Sequence, residues 1–160
     1  MLPAPHHPLV ISHRTNEGDA PENTLLGIAR AIEGGCDAVE VDVRATRDGV
    51  LVLLHDETLA RTTGDPRAVL DVTYAELRAL RCGVPQGYPP PPQPVPTLEA
   101  AYAAVLAPDG TPRIVIEVDI PARGIEAEVA ALFRRLHAEP YSLFTPSTET
   151  EVRLMQRHCP

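Results

Sequence analysis

The sequence predicts an α/β fold built on a largely parallel sheet, and three observations carry that reading. Strand-like and helix-like segments alternate along most of the 160 residues, the order that builds parallel sheets. The stretch from Leu9 to Val43 has the spacing of a strand–helix–strand unit, which implies adjacent parallel strands joined by a right-handed crossover. Finally, the candidate strands end in ionisable residues: His13-Arg14, Glu40 and Asp42, His55-Asp56, Glu117 and Asp119. Parallel α/β folds form their active sites at the carboxyl ends of strands. Neighbouring strands about 4.8 Å apart bring such residues onto one rim, the arrangement of an enzyme.

Taken in order, Leu9-Val10-Ile11-Ser12 is predicted as a short buried strand ending at His13-Arg14. Asn23 is placed to cap a helix carrying Leu25, Ile28, Ala29 and Ile32 on one face and stopped by Gly34-Gly35. The second strand, Asp37 to Val43, alternates valines with Glu40 and Asp42. A strand turns alternate side chains to opposite faces, so the two carboxylates share one face. Like charges so placed repel and call for a cation or a shared proton between them.

Gly49 to Leu54 is a third apolar run, reached after about six residues. A helical crossover needs a dozen or more, so an antiparallel hairpin fits. A parallel strand with an extended return fits as well, since six residues span roughly 20 Å. Asp56 to Leu70 is expected to be a polar loop and Tyr74 to Leu80 a short helix. The segment 83–96 holds Pro89-Pro90-Pro91-Pro92, favours polyproline II and is excluded from a sheet interior; it is predicted as a surface loop within the domain. Thr97 caps a helix over Leu98 to Leu106. Arg113 to Asp119 makes a fourth strand, Ile125 to His137 an amphipathic helix, Ser142 to Thr145 a fifth short strand, and Thr148 to His158 a last helix.

A chain of this length buries a core as one domain. Hydrophobic content of 44% and charge of 22% are globular values. A net charge of −8 argues against a nucleic-acid or anionic-membrane partner, and the absence of Trp argues against stacking platforms. All 14 basic residues are Arg, so Schiff-base chemistry and a catalytic lysine are excluded. Cys36, Cys82 and Cys159 are odd in number, form no CxxC pair and are read as reduced thiols. With no signal peptide or membrane span visible, a cytoplasmic protein is expected.

Oxygen-only ligands such as Glu40, Asp42 and Glu117 suit calcium or magnesium rather than zinc. His13 and His55 beside them are placed to move protons. Arg14 carries the planar fork that grips a phosphate.

These residues resemble the glycerophosphodiester phosphodiesterase family. The resemblance lies in His13-Arg14, Pro21-Glu22-Asn23-Thr24, Glu40-Val41-Asp42-Val43, Thr46-Arg47-Asp48-Gly49-Val50, His55-Asp56, Leu59, Arg61-Thr62-Thr63, Val95-Pro96-Thr97-Leu98-Glu99 and Ile116-Glu117, in order and spacing. It implies a TIM-type (β/α)8 barrel with its site at the C-terminal rim, and it favours the parallel placement of strand three. It also implies that Glu40, Asp42 and Glu117 bind a divalent cation, calcium or magnesium. His13 and His55 would be the general acid/base pair and Arg14 a phosphate contact. The implied reaction is hydrolysis of small-molecule glycerophosphodiesters to sn-glycerol 3-phosphate and an alcohol, in lipid metabolism.

Two positions depart from the family pattern. Thr15 stands where Gly usually follows His-Arg, and Asp119 stands where Lys usually follows the fourth-strand Glu. A full barrel takes about 250 residues; residues 1–160 supply about the first four to five βα repeats, the N-terminal part of such a domain. A partial barrel raises a second expectation, an inactive association module, because an open sheet edge invites self-association or pairing with a C-terminal half.

Overall fold

The computed structural model describes residues 8–15, 18–89, 91–121, 124–146 and 148–158. Strands β1 (Ile11–Ser12), β2 (Ala38–Ala45), β4 (Val115–Asp119) and β5 (Ser142–Phe144) form a parallel sheet in the order β1-β2-β4-β5, and β3 (Leu51–Leu53) pairs with β2 outside that order. Helices α1 (Leu25–Glu33), α4 (Leu98–Val105), α5 (Glu126–Leu136) and α6 (Glu149–His158) accompany the parallel strands. Short helices α2 (Ala60–Thr63) and α3 (Tyr74–Leu77) lie in the long connection after β3. Four βα repeats are therefore described.

The alternation in β2 sorts its residues as expected. Val39, Val41 and Val43 are fully buried and join Ile116 and Val118 of β4, Ile28 of α1, Leu98 and Tyr102 of α4, and Val129 and Phe133 of α5 in the main core. Burying each such side chain contributes roughly 1.5–3 kcal/mol, so the sheet is held from its helix side. The opposite face is left to Glu40, Asp42, Glu117 and Asp119.

Strand three corrects the expectation drawn from the resemblance, because it runs antiparallel to β2 with Val43 opposite Leu53 and Ala45 opposite Leu51. The reason is local. Thr46 N–H donates to Val50 O at 3.0 Å, the Thr46 hydroxyl donates to Asp48 at 2.6 Å, and Gly49 takes φ +79°. That turn reverses the chain, and six residues then suffice. Both faces of β3 are buried: Leu51 and Leu53 face the main core, while Val52 faces a second core with Leu54, Leu59, Val69, Val72, Leu77 and Val95. The continuous apolar run thus reflects two cores, not a central barrel strand.

Several smaller expectations also change. The segment preceding β1 is not buried; Leu9, Val10 and Ile11 are 48%, 54% and 41% exposed, because β1 pairs with β2 alone and nothing described packs over these side chains. Thr24, rather than Asn23, caps α1 by accepting from Gly27 N–H. Ala29 is exposed, and Ala31 takes its place in the core. The expected polar loop from Asp56 contains α2.

The Pro-rich segment folds back onto the chain. Cys82 and Gln93 exchange backbone hydrogen bonds, Leu53 N–H donates to Pro96 O, and Gly83, at φ +94°, lies where a Cβ would sit 2.6 Å from Pro21. Cys36 and Cys82 are free thiols, and burial pushes Cys82 up to about 12; Cys159 lies outside the described residues. No helix among the described residues is long and apolar enough to cross a membrane.

Candidate active site at the strand ends

Register sets the site. Pairing of β2 with β4 puts Glu40 opposite Glu117 and Asp42 opposite Asp119. With alternate residues facing the core, this makes a two-by-two array of carboxylates on one face. Oxygens of Glu40, Asp42 and Asp119 lie within 4.8 Å of one another. Glu117, expected in that group, sits beside it with its carboxylate accepting the Thr145 hydroxyl at the end of β5.

Asp42 is 2% exposed and is held from two sides. Asn23 Nδ2 donates to its Oδ2 at 2.7 Å, and the Asp42 backbone N–H donates to Asn23 Oδ1 at 3.1 Å. Arg14 Nε lies 3.6 Å from the same oxygen. Asn23 takes φ +54° to make this clasp, a left-handed conformation that Asn tolerates better than most residues.

Glu40 accepts the Arg14 backbone N–H at 2.7 Å. Burial raises its carboxyl to about 7; the Arg14 N–H opposes this, while the charges of Asp42 and Asp119 reinforce it and that of His13 opposes it. A carboxyl raised first by burial and then by neighbouring carboxylates marks a position where an added positive charge would be favourable.

His13, Arg14 and Thr15 form one tight turn after β1, with Arg14 at φ +46° and Thr15 at φ +70°. Thr15 is buried and its hydroxyl accepts Thr24 N–H at 3.2 Å, so the residue standing where the resemblance expects Gly ties the turn to the start of α1. The antiparallel hairpin delivers His55. Leu54 N–H donates to Asp42 O at 3.0 Å and Arg44 Nε to His55 O at 2.8 Å. His55 thus arrives beside the carboxylate strand because β3 runs back along it.

The structure therefore brings His13, Arg14, Glu40, Asp42 and His55 to one end of the sheet, with Glu117 flanking. It adds Asn23, Glu22 and Arg61, which the sequence alone gave no site role, and it draws Asp119, expected only as a strand-end acid, into the carboxylate group. Glu22 and Arg61 lie within the quoted motifs, and that membership was the only signal the sequence offered for them. His6 and His7 lie outside the described residues, and a groove of about 400 Å³ on the other side of the hairpin, between Val50, Thr97, Leu132 and the paired Glu99 and Arg135, shares no residue with the rim.

Comparison with known proteins identifies the family and the fold. Residues 13–140 match the model of the glycerophosphoryl diester phosphodiesterase family. The chain is 32% identical over 153 residues to a glycerophosphodiester phosphodiesterase of Caldanaerobacter subterraneus subsp. tengcongensis, covering 95% of this chain and 63% of that relative. Among solved structures, a glycerophosphodiester phosphodiesterase from Agrobacterium tumefaciens str. C58 superposes with a TM-score of 0.83 at 30% identity, covering 96% of this chain and 64% of that one. An Oleispira antarctica phosphodiesterase in complex with the product sn-glycerol-3-phosphate gives a TM-score of 0.74 at 28% identity, over 94% and 62%. The chain spans about 63% of the length of the first curated relative it matches, and its four parallel strands are the corresponding part of a TIM-type barrel. Motif order, rim geometry and superposition converge, and the chain belongs to the glycerophosphoryl diester phosphodiesterase family.

Proposed function

We propose that this chain carries the catalytic rim of a cation-dependent phosphodiesterase that releases sn-glycerol 3-phosphate and an alcohol from glycerophosphodiesters. The observation that carries the reading is the group of Glu40, Asp42 and Asp119 oxygens within 4.8 Å, beside an arginine and two histidines. The donor set is all oxygen and anionic, which fits a hard divalent ion, calcium or magnesium. Glu40, raised to about 7 by burial and by the charges of Asp42 and Asp119, fits it too. Glu40 and Asp42 would hold the ion with Glu117 as third ligand, and Asp119 stands in reach as a further oxygen. Such an ion supplies charge neutralisation at the phosphate.

The chain's own residues supply the rest. Arg14 is anchored by its backbone on Glu40 and by its side chain between Asp42 and Glu22, so its fork is set for a phosphate oxygen. His13 and His55 would move the protons of two steps: the glycerol 2-hydroxyl loses its proton as it bonds to phosphorus and the departing alcohol gains one as its P–O bond breaks, then water opens the resulting cyclic phosphate to sn-glycerol 3-phosphate. Asn23 keeps Asp42 in one orientation, which spares the site reorganisation during the reaction.

The test is release of glycerol 3-phosphate from glycerophosphocholine by purified protein with calcium or magnesium. Release that stops with EDTA and falls at least 100-fold in His55→Ala is expected. A folded sample with no cation-dependent release rejects the proposal.

A further inference from the structure

Glu22 is 2% exposed, and three separate segments meet on its carboxylate. Arg14 Nη1 comes from the turn after β1, at 3.5 Å from Oε1. Arg61 comes from α2, with Nη1 donating to Oε2 and Nη2 to Oε1 at 2.8 Å. Gln86 comes from the Pro-rich segment, its Nε2 donating to Oε2 at 3.1 Å. Burial alone pushes the Glu22 carboxyl up, but the hydrogen bonds and charge of Arg61, then the charge of Arg14, outweigh it and leave it below the usual range.

Arg61 passes the constraint onward. Its Nε donates to Asp56 Oδ2 at 2.8 Å and its Nη2 to Asp56 Oδ1 at 2.9 Å. Asp56 Oδ1 in turn meets His55 Nδ1 at 2.8 Å. Guanidinium forks of this kind fix a carboxylate in both position and plane, and hydrogen bonds from Arg61, with a lesser one from His55, hold Asp56 well below the usual carboxylate range. An ionised carboxylate only accepts, so the hydrogen in the contact with His55 belongs to Nδ1. A neutral imidazole has one N–H. Its Nε2 is then the nitrogen with the free lone pair.

We infer that Asp56 is a positioning residue that fixes His55 in the Nδ1–H tautomer and assigns proton transfer to Nε2, with Arg61 and the buried Glu22 holding Asp56 in place. This rests on the reading of His55 as a proton-transfer residue. Glu22 then anchors two functions at once: the phosphate-directed fork of Arg14 and, through Arg61 and Asp56, the orientation of His55. Gln86 ties the Pro-rich segment to the same anchor. A merely structural role for the chain of contacts would fasten α2 to the end of β3 and leave the imidazole indifferent to which nitrogen carries its hydrogen.

The experiment reads the tautomer directly. Two-bond ¹H–¹⁵N spectra of the ¹⁵N-labelled chain are recorded with neutral imidazoles, His55 being assigned by its loss in His55→Gln. The native protein is expected to show the Nδ1–H pattern, and Asp56→Asn to move His55 toward Nε2–H. Turnover in Asp56→Asn is expected to fall on the order of 10²–10⁴-fold in kcat, with KM within about threefold. Arg61→Lys, which keeps the charge and loses the fork, is expected to give a mixed tautomer and a smaller loss. An Nε2–H pattern in the native protein overturns the inference, as does a folded Asp56→Asn that retains Nδ1–H. If Asp56→Asn does not fold, the native spectrum and Arg61→Lys decide. The tautomer is visible without turnover, so an Nδ1–H protein that releases no glycerol 3-phosphate sinks the phosphodiesterase reading and the proton-transfer role while upholding Asp56 as the residue that fixes the tautomer.

Discussion

Raising the pH from 5 to 8 should destabilise the cation-free protein, with Glu40 as the group responsible. Its carboxyl titrates at about 7 in the folded chain against an ordinary value of 4.5. Between those values the native state holds a proton that the unfolded state has released. Stability therefore falls as pH rises in this window: the contribution is complete below the unfolded value and lost as pH passes through about 7. A gap of about 2.5 units corresponds to about 3 kcal/mol, and water at the partly open rim reduces this to about 2 kcal/mol. For a chain of this size that is roughly 4–8 °C in Tm. Glu22 and Asp56, held below their ordinary values of 4.5 and 3.8, act in the opposite sense, but their contributions are nearly complete by about pH 5.

Urea unfolding in EDTA at several pH values, on the native chain and on Glu40→Gln, isolates the effect as the difference between the two slopes. Calcium or magnesium must displace the same proton, so apparent cation affinity should rise as pH passes through 7. A Glu40→Gln variant with the same pH slope as the native chain would refute the reasoning.

Three further outcomes follow from named contacts. Gly27→Ala places a Cβ 2.3 Å from the Thr15 hydroxyl and 2.9 Å from the Thr15 carbonyl; it should cost about 1–3 kcal/mol by urea midpoint, despite the gain in helix propensity. Asn23→Gly keeps the positive φ and removes both contacts to Asp42. It should lower stability by about 1–3 kcal/mol and cation affinity by about 10–100-fold in calorimetric titration. Tyr102→Phe removes the 2.7 Å hydrogen bond to Ser142 and should cost roughly 1 kcal/mol in chemical denaturation, with rim chemistry unchanged.

What could be read in advance followed from short-range rules. Period-two alternation put Glu40 and Asp42 on one face, and helix spacing located α1, α4 and α5 to within a residue or two. His13, Arg14 and His55 stood out by ending apolar runs. The direction of β3 escaped because six residues permit either sense, and the resemblance pointed to the wrong one; the Thr46–Gly49 turn decided it. Asn23 and Thr24 are both good caps, and only the tertiary demand of Asp42 for a partner sorted them. Asp119 stood out as a strand-end acid, but its place directly opposite Asp42 comes from the register between β2 and β4, and register between distant strands is a property of packing that no local pattern displays.

The insertion between β2 and β4 also has a kinetic consequence. These partners are adjacent in the sheet but far apart along the chain, separated by a hairpin with its own hydrophobic cluster. Closing so long a loop carries an entropic cost of order (3/2)RT ln n, and contacts of high sequence separation slow folding. The hairpin cluster, being local, is expected to condense first and shorten the effective loop, leaving zippering of β2 onto β4 as the late event. The facing carboxylates meet only in that step, so their mutual repulsion opposes it and a divalent ion would speed it. Refolding rate should then depend on calcium or magnesium at neutral pH and far less at pH 5, where Glu40 takes up a proton as the strands meet and the repulsion is reduced.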